Sequence, residues 1–288
     1  MAKISLQSGI VYGPVFSRRL GRSFGINLLP KSYKSCSFDC IYCQYGPTKN
    51  VTLSPKFEDL PTIAQVLAAV EKALMKPRTM DVLTFSGNGE PTLHPDFQEI
   101  VQGVSAIRDR LRPNVKLALL SNSSKVMDPE VKKAIEQIEI PMMKLDAGED
   151  QTFHVINQPE SSLHLTDIIK GLKEIPDLII QSLLIDGEIS NIKGESFQSW
   201  VDVLMDINPR ELHIYSTERP TAKDDLVRVS ARKLAQIEGL LINKYDLRAH
   251  AFWSDKMTAN GKVSFAQEMP CGYNQNILGG WICTLFHL

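Results

Sequence analysis

No stretch of the 288-residue sequence approaches the roughly 18 consecutive apolar residues that a bilayer-spanning helix requires. Met1-Ala2-Lys3-Ile4-Ser5 also lacks the basic-then-apolar layout of a secretory leader. Together these absences predict a cytoplasmic protein with no membrane partner. Charge of one sign is missing too: 32 Lys and Arg face 33 Asp and Glu, a formal net charge of −1. Such a balance supplies no global field to gather nucleic acid, so any polyanionic partner must be met by a local patch. Repeats, low-complexity tracts and Gly/Ser-rich linkers are absent, and nothing divides the chain into several domains. Cysteine is scarce, and its odd count of five excludes a closed disulfide framework. Cys36, Cys40 and Cys43 fall together while Cys271 and Cys283 lie far off, a distribution that points to metal ligation in a reducing compartment.

A composition of 43% hydrophobic and 23% charged residues is ordinary for a globular α/β protein. Short apolar runs long enough for buried strands recur at 25–29, 82–86, 116–120, 142–146, 178–185 and 211–215. Between them, Ile63-Val66-Leu67-Val70-Leu74, Phe97-Ile100-Val101-Val104-Ile107 and Leu163-Ile168-Ile169-Leu172 repeat at helical spacing. Pro61-Thr62, Pro95-Asp96 and Asp128-Pro129-Glu130 are helix-start signals, the last leading into 131–138, and a further helix is predicted over 230–242. The alternation of strand and helix predicts a parallel sheet covered by crossover helices, either doubly wound or a complete or partial barrel. In both, the loops at the carboxyl ends of the strands are the place for chemistry. From about Asp246 the pattern weakens, which predicts a main unit over 1–245 and a short irregular C-terminal extension, 246–288, packed on it.

The central motif is Cys36-Ser37-Phe38-Asp39-Cys40-Ile41-Tyr42-Cys43, with C-x3-C-x2-C spacing. Three thiolates on so short a loop can converge on one face of a cuboidal iron–sulfur cluster and leave its fourth iron without a protein ligand. A structural zinc site is the alternative, but zinc in a closed site takes four ligands, and Cys271, Cys283 or a histidine would have to supply the last. The spacing, with an aromatic residue directly before the final cysteine, resembles the signature of the radical S-adenosylmethionine (SAM) superfamily. That resemblance implies a [4Fe–4S] cluster on Cys36, Cys40 and Cys43, SAM chelating the open iron through its amino and carboxylate groups, and Tyr42 beside the adenine. It also implies a partial (β/α)6 TIM-like barrel of parallel strands.

Later motifs agree with this. Ser86-Gly87-Asn88-Gly89-Glu90-Pro91-Thr92 follows the second predicted strand, where glycines let the backbone pass close to a ligand and Glu90 offers an acceptor for an ammonium. By itself it is a glycine-rich turn; after the cysteine loop it resembles the superfamily's Gly-Gly-Glu motif for the SAM amino group, with Asn88 in place of one glycine. Ser121-Asn122-Ser123-Ser124 ends the third strand and suits either a ribose or carboxylate contact or a plain turn. In Lys144-Leu145-Asp146-Ala147-Gly148, alternation places Lys144 and Asp146 on one side of a buried strand, where charges are costly unless paired or bound to something. The continuation 146–153 and 156–159, with 12–21, 181–187 and 219–221, resembles radical SAM iron–sulfur oxidoreductases related to tRNA wyosine synthases.

By that resemblance, a one-electron donor such as flavodoxin or ferredoxin reduces the cluster, SAM is cleaved, and hydrogen is abstracted from the substrate. This needs no protein acid or base, so no catalytic side chain is assigned; Lys144, Gln181, His213 and Tyr215 are the inward candidates near a substrate, with core packing the alternative for the last two. Arg18, Arg19, Arg22, Lys31 and Lys34 form the densest basic run, either a solvated surface or a clamp for a phosphate or carboxylate at the cavity mouth. A small-molecule substrate is favoured over tRNA, because wyosine-type synthases carry additional cysteines ahead of the signature and no cysteine precedes Cys36. A non-catalytic iron–sulfur redox sensor or electron carrier is the alternative outside catalysis, and it would need a fully ligated cluster.

Overall fold

Alternation of apolar residues along the predicted strands sorts them onto two faces, and the computed structural model, which describes residues 4 to 254, has a parallel sheet clad by helices on its outer face. In chain order its elements are β1 (Val11–Ser17), β2 (Gly21–Ile26), α1 (Ile63–Met75), β3 (Val82–Phe85), α2 (Phe97–Leu111), β4 (Lys116–Ser121), α3 (Pro129–Ile135) and β5 (Ile140–Lys144). There follow α4 (Asp150–Asn157), α5 (Leu165–Lys173), β6 (Ile179–Leu183), β7 (Ile185–Asp186), α6 (Gly194–Ile207), β8 (Glu211–Tyr215), β9 (Val227–Arg228), α7 (Ala231–Tyr245) and β10 (Ala249–Phe252). The sheet runs β1-β2-β3-β4-β5-β6-β8-β10, curled into a half-barrel of the partial TIM type, while β7 and β9 pair separately. Every neighbouring pair is parallel except β1 with β2.

Outward residues such as Leu83, Phe85, Leu117, Leu119, Met143, Ile180, Leu212 and Ile214 share the main core with Val66, Val70 and Leu74 of α1 and Ile100, Val101 and Val104 of α2. Each large apolar side chain so buried contributes on the order of 1.5–3 kcal/mol. Inward, Leu20, Val82, Ala118, Met142 and Ile179 pack into a small apolar plug at the strand starts. The helix-start signals act as capping chemistry requires: Thr62 and Gln65 form a capping box on α1, and the Asp128 side chain accepts the Glu130 amide before α3.

The differences from the sequence expectations have local causes. The first strand lies at 21–26 rather than 25–29, because the Asn27 side chain bonds both the amide and the carbonyl of Leu29 and turns the chain out of the sheet. Its antiparallel partner β1 went unrecognised; Gly13-Pro14 interrupts its alternation, and the pairing register shifts between Tyr12 and Val15. The 178–185 run divides into β6 and β7. Helix α4 is short, α6 opens on Gly194, and β10 continues the sheet past residue 245 with only four residues. The expected irregular extension falls mostly on residues 255–288, outside those described, as do Cys271 and Cys283. Among the described residues no helix is long and apolar enough to cross a membrane.

Gly148, in the loop from β5 to α4, packs against α6. A Cβ placed there would lie 2.1 Å from the Ser199 carbonyl oxygen and 2.4 Å from the Trp200 amide nitrogen, both backbone atoms that cannot swing aside. Trp200, fully buried, donates its indole N–H to the Leu145 carbonyl at 3.0 Å from the same helix. We expect Gly148→Ala to destabilise the protein by about 3 kcal/mol, the upper end of overpacking, in urea unfolding followed by circular dichroism; a change within experimental error would show that α6 is not held this closely.

Candidate active site at the carboxyl ends of the strands

Because β2 to β8 run parallel, the segments leaving their carboxyl ends meet at one edge. The cysteine loop leaves β2 there and is fastened along its length by backbone bonds. Ser35 donates to the Asn88 carbonyl at 3.0 Å and accepts from the Glu90 amide at 3.2 Å, Thr52 donates to the Cys36 carbonyl at 3.0 Å, and Asp39 and Ile41 donate to Gln158 and Ile156 at 3.0 Å. Phe38 stands edge-on to Phe153 of α4 with centroids 5.5 Å apart. Cys36 is buried, and Cys40 and Cys43 are half-buried. Desolvation, reinforced by its neighbour Cys40, pushes the Cys36 thiol far up; burial pushes Cys40 up to about 11.

Side-chain amides approach two of these sulfurs, Asn122 Nδ2 at 3.5 Å from Cys36 Sγ and Asn157 Nδ2 at 3.6 Å from Cys40 Sγ. Among the described residues no group of three or more His, Cys, Asp or Glu side chains is gathered so as to hold a metal ion. Soft sulfur donors on one loop suit corners of an iron–sulfur cube, and Cys36 and Cys40 each have an amide available to support the ligand sulfur.

The turn after β3 serves the cysteine loop first. Gly87 and Gly89 have φ of +134° and +141°, and a Cβ on Gly89 would fall 1.6 Å from the Ser35 carbonyl oxygen. Gly89 thus admits the Ser35 backbone and Gly87 the Asn27 side chain. The Asn88 side chain is fully engaged, accepting from Gln7 N at 2.7 Å and donating to the carbonyls of Gln7 at 3.0 Å and Pro30 at 2.9 Å. Glu90 is buried, and its carboxylate accepts from the Thr92 amide and hydroxyl at 3.0 and 2.7 Å and from the Asn122 amide. Desolvation raises its pKa despite those donors. Asn122 caps its own turn by accepting from Ser124 N at 2.9 Å, and Ser121 accepts from Ser123 N at 3.0 Å.

Lys144 and Asp146 do share the inner face, as alternation requires. Asp146 accepts from the Tyr42 hydroxyl, from Asn157 Nδ2 at 2.8 Å and from Leu183 N at 2.8 Å, and lies 3.5 Å from the Lys144 ammonium. Lys144 also donates to the Tyr215 hydroxyl at 3.2 Å and sits 5.1 Å from the Tyr42 ring centre. Burial alone would lower the Lys144 pKa, but Asp146 with Tyr215 and Cys40 outweighs it, so the ammonium is held above its usual range. Burial and then the Asp146 charge drive the Tyr42 phenol well above its ordinary value. Sequence reasoning assigned no role to Asn157 or Asn191, which donates to the Asp146 and Leu183 carbonyls at 2.9 Å. The signal for Asn157 was the helix itself: Glu149 caps α4 by accepting from Gln151 and Thr152, and Phe153 and Ile156 mark its buried face.

Across the inner face, strand register sets Lys144, Gln181, His213 and His250 side by side. The basic run does not form one patch. Arg18 pairs with Glu218 at 2.6 Å, Arg22 with Asp81 at 2.8 Å, Lys34 donates to the Gly46 carbonyl at 2.8 Å, and Lys31 is exposed. Arg19 alone of this run enters the half-barrel.

Removing Asp146 leaves the Lys144 ammonium, only 14% exposed, without its ion-pair partner. Asp146→Ala is expected to cost about 3–5 kcal/mol of unfolding free energy. Adding Lys144→Met should restore part of that loss, and a double variant no more stable than the single one would mean the ion pair is not the source.

A model of the radical SAM superfamily matches residues 31–206. A UPF0026 protein of Helicobacter pylori strain J99 is 31% identical over 243 residues, 80% of this chain and 75% of that protein. A radical SAM methyltransferase from Sphaerobacter thermophilus has the same fold, with a TM-score of 0.56 and 18% identity over 81% of this chain and 67% of that one. The structure of TYW1 with a lysine–pyruvate adduct bound is similar too, with a TM-score of 0.51 and 17% identity over 77% and 74% of the two chains. The matched segment contains the cysteine loop, the Gly87–Glu90 turn and the Lys144–Asp146 strand end, and the chain belongs to the radical SAM superfamily.

Proposed function

We propose that this chain is a radical SAM enzyme in which Cys36, Cys40 and Cys43 hold a [4Fe–4S] cluster and the half-barrel encloses a small-molecule substrate. The observation that carries this is the donor set: three thiols on one loop at the carboxyl edge of a parallel half-barrel, with a polar strand-end surface beside them. Bound there, the cluster and SAM supply reductive cleavage of a carbon–sulfur bond and a 5′-deoxyadenosyl radical that abstracts hydrogen.

The chain's own residues bind, orient and exclude water. Backbone groups of the Gly87–Glu90 turn and the side chains of Ser121 and Asn122 offer polar contacts to SAM at the strand ends. Asp146 and Asn157 fix the Tyr42 hydroxyl, and with it the ring expected beside adenine. The plug of Leu20, Val82, Ala118, Met142 and Ile179 closes the strand-start end, so a reactive intermediate is shielded from water on that side. A protein such as flavodoxin or ferredoxin supplies the electron. The near-neutral charge gives little help in holding tRNA, and the substrate of this reading is a small molecule.

After anaerobic reconstitution, dithionite and SAM should yield 5′-deoxyadenosine, and Cys40→Ala should abolish it together with the cluster's absorbance. A wild-type protein that keeps an intact cluster yet releases no 5′-deoxyadenosine would be an electron carrier instead.

A further inference from the structure

The inner face carries a polar tier for which folding alone gives little reason. Lys144, Gln181 and His213 are register neighbours on β5, β6 and β8, directly above the apolar plug. Arg19 comes from the β1–β2 turn and reaches this tier: its Nη1 donates to Gln181 Oε1 at 2.8 Å, and its guanidinium stands 4.7 Å from the Tyr215 ring centre. The Lys144 ammonium lies 5.6 Å from the centre of the same ring.

Two cations therefore flank one aromatic ring inside the half-barrel. Lys144 has Asp146 for a partner; the partners of Arg19 among the described residues, Gln181 and Tyr215, carry no carboxylate. Arg18, Arg22 and Lys34 each have a carboxylate within 4 Å, so the contrast lies in the sequence's own basic run. The Arg19 side chain is half-buried, and a guanidinium so placed without a carboxylate is costly unless something anionic meets it. Burial also pulls the Arg19 pKa down, the direction expected of a cation lacking its counter-charge.

His213 gives a second, independent sign. It is 5% exposed, its Nε2 engages Glu211 at 3.0 Å, and its Nδ1 is buried with no partner among the described residues. A ring nitrogen buried without a partner on an inward strand, beside Gln181, is a second polar atom of this tier that the described residues leave unsatisfied.

We propose that Arg19 anchors an oxyanion, the carboxylate or phosphate group of the substrate, inside the half-barrel. The geometry suits it: a guanidinium offers a planar fork of donors, and Gln181 and Tyr215 hold that fork facing the tier. The inference rests on the half-barrel being the substrate chamber of the proposed reaction. It separates Arg19 from Arg18, Arg22 and Lys34, which already face carboxylates, and from Lys31, which is exposed.

The test uses the full chain with its reconstituted cluster, kept anaerobic, and titrates inorganic phosphate and acetate separately by calorimetry at constant ionic strength. Saturable binding of one probe is expected, phosphate marking a phosphate ester and acetate a carboxylate. Arg19→Gln should weaken it about tenfold or more, and Arg19→Lys, which keeps the charge but loses the fork, should fall between. No saturable binding of either probe, or Arg19→Gln binding as tightly as wild type, overturns the proposal. The titration needs no SAM, so its failure is distinguishable from failure of the cleavage assay.

Discussion

Asp146 has no exposed side-chain surface, yet the Tyr42 hydroxyl, the Asn157 amide, the Leu183 backbone amide and the Lys144 ammonium all converge on its carboxylate. Those groups belong to the cysteine loop, the end of α4, β6 and β5. A buried carboxylate is tolerated only when its lone pairs are filled, and here filling them forces four separate stretches of chain into one arrangement. The position of the cysteine loop over the half-barrel follows from that requirement as much as from apolar packing. Asp146 also determines the charge of the chamber, since it neutralises Lys144 and leaves Arg19 as the cation that is not matched.

Much of this was legible in residue order. The parallel alternation, the capped helices and the shared face of Lys144 and Asp146 follow from local periodicities of two and of three to four residues, which a single sequence displays. What escaped was whatever depends on distant segments meeting. Gly89 looked like a ligand-approach glycine because both roles demand the same backbone freedom; that Ser35 fills the space is a long-range fact. Asn157 shares the buried face of α4 with Phe153 and Ile156 but nothing local names its partner, and Asn191 lies in a loop; their value appears only when Asp146 lies beside them. The basic run shows the same limit: adjacent in sequence, its members point to Glu218, Gln181, Asp81 and Gly46 in separate parts of the fold.

The two faces of the sheet divide the labour. Outward positions are mostly apolar and supply the burial that holds helices to strands, with Ser182 bonded to Trp200 of α6 as an exception. Inward positions change character with height, apolar at the strand starts, then Lys144, Gln181 and His213, then Asp146 and Tyr215 near the cysteines. Polarity thus rises toward the end where the superfamily's chemistry takes place, and the chain concentrates its desolvation cost where a ligand can offset it.

The stitching of the cysteine loop to the Gly87–Glu90 turn and to the end of α4 has a consequence for maturation. Main-chain amides and carbonyls make those bonds, so the loop's path does not depend on a metal to define it. Small metal-folded domains must organise their ligands at the moment of loading, which diminishes the net affinity gained. Here backbone bonds to the Gly87–Glu90 turn and to the end of α4 meet that entropic demand for the loop's path, whatever the loop goes on to hold.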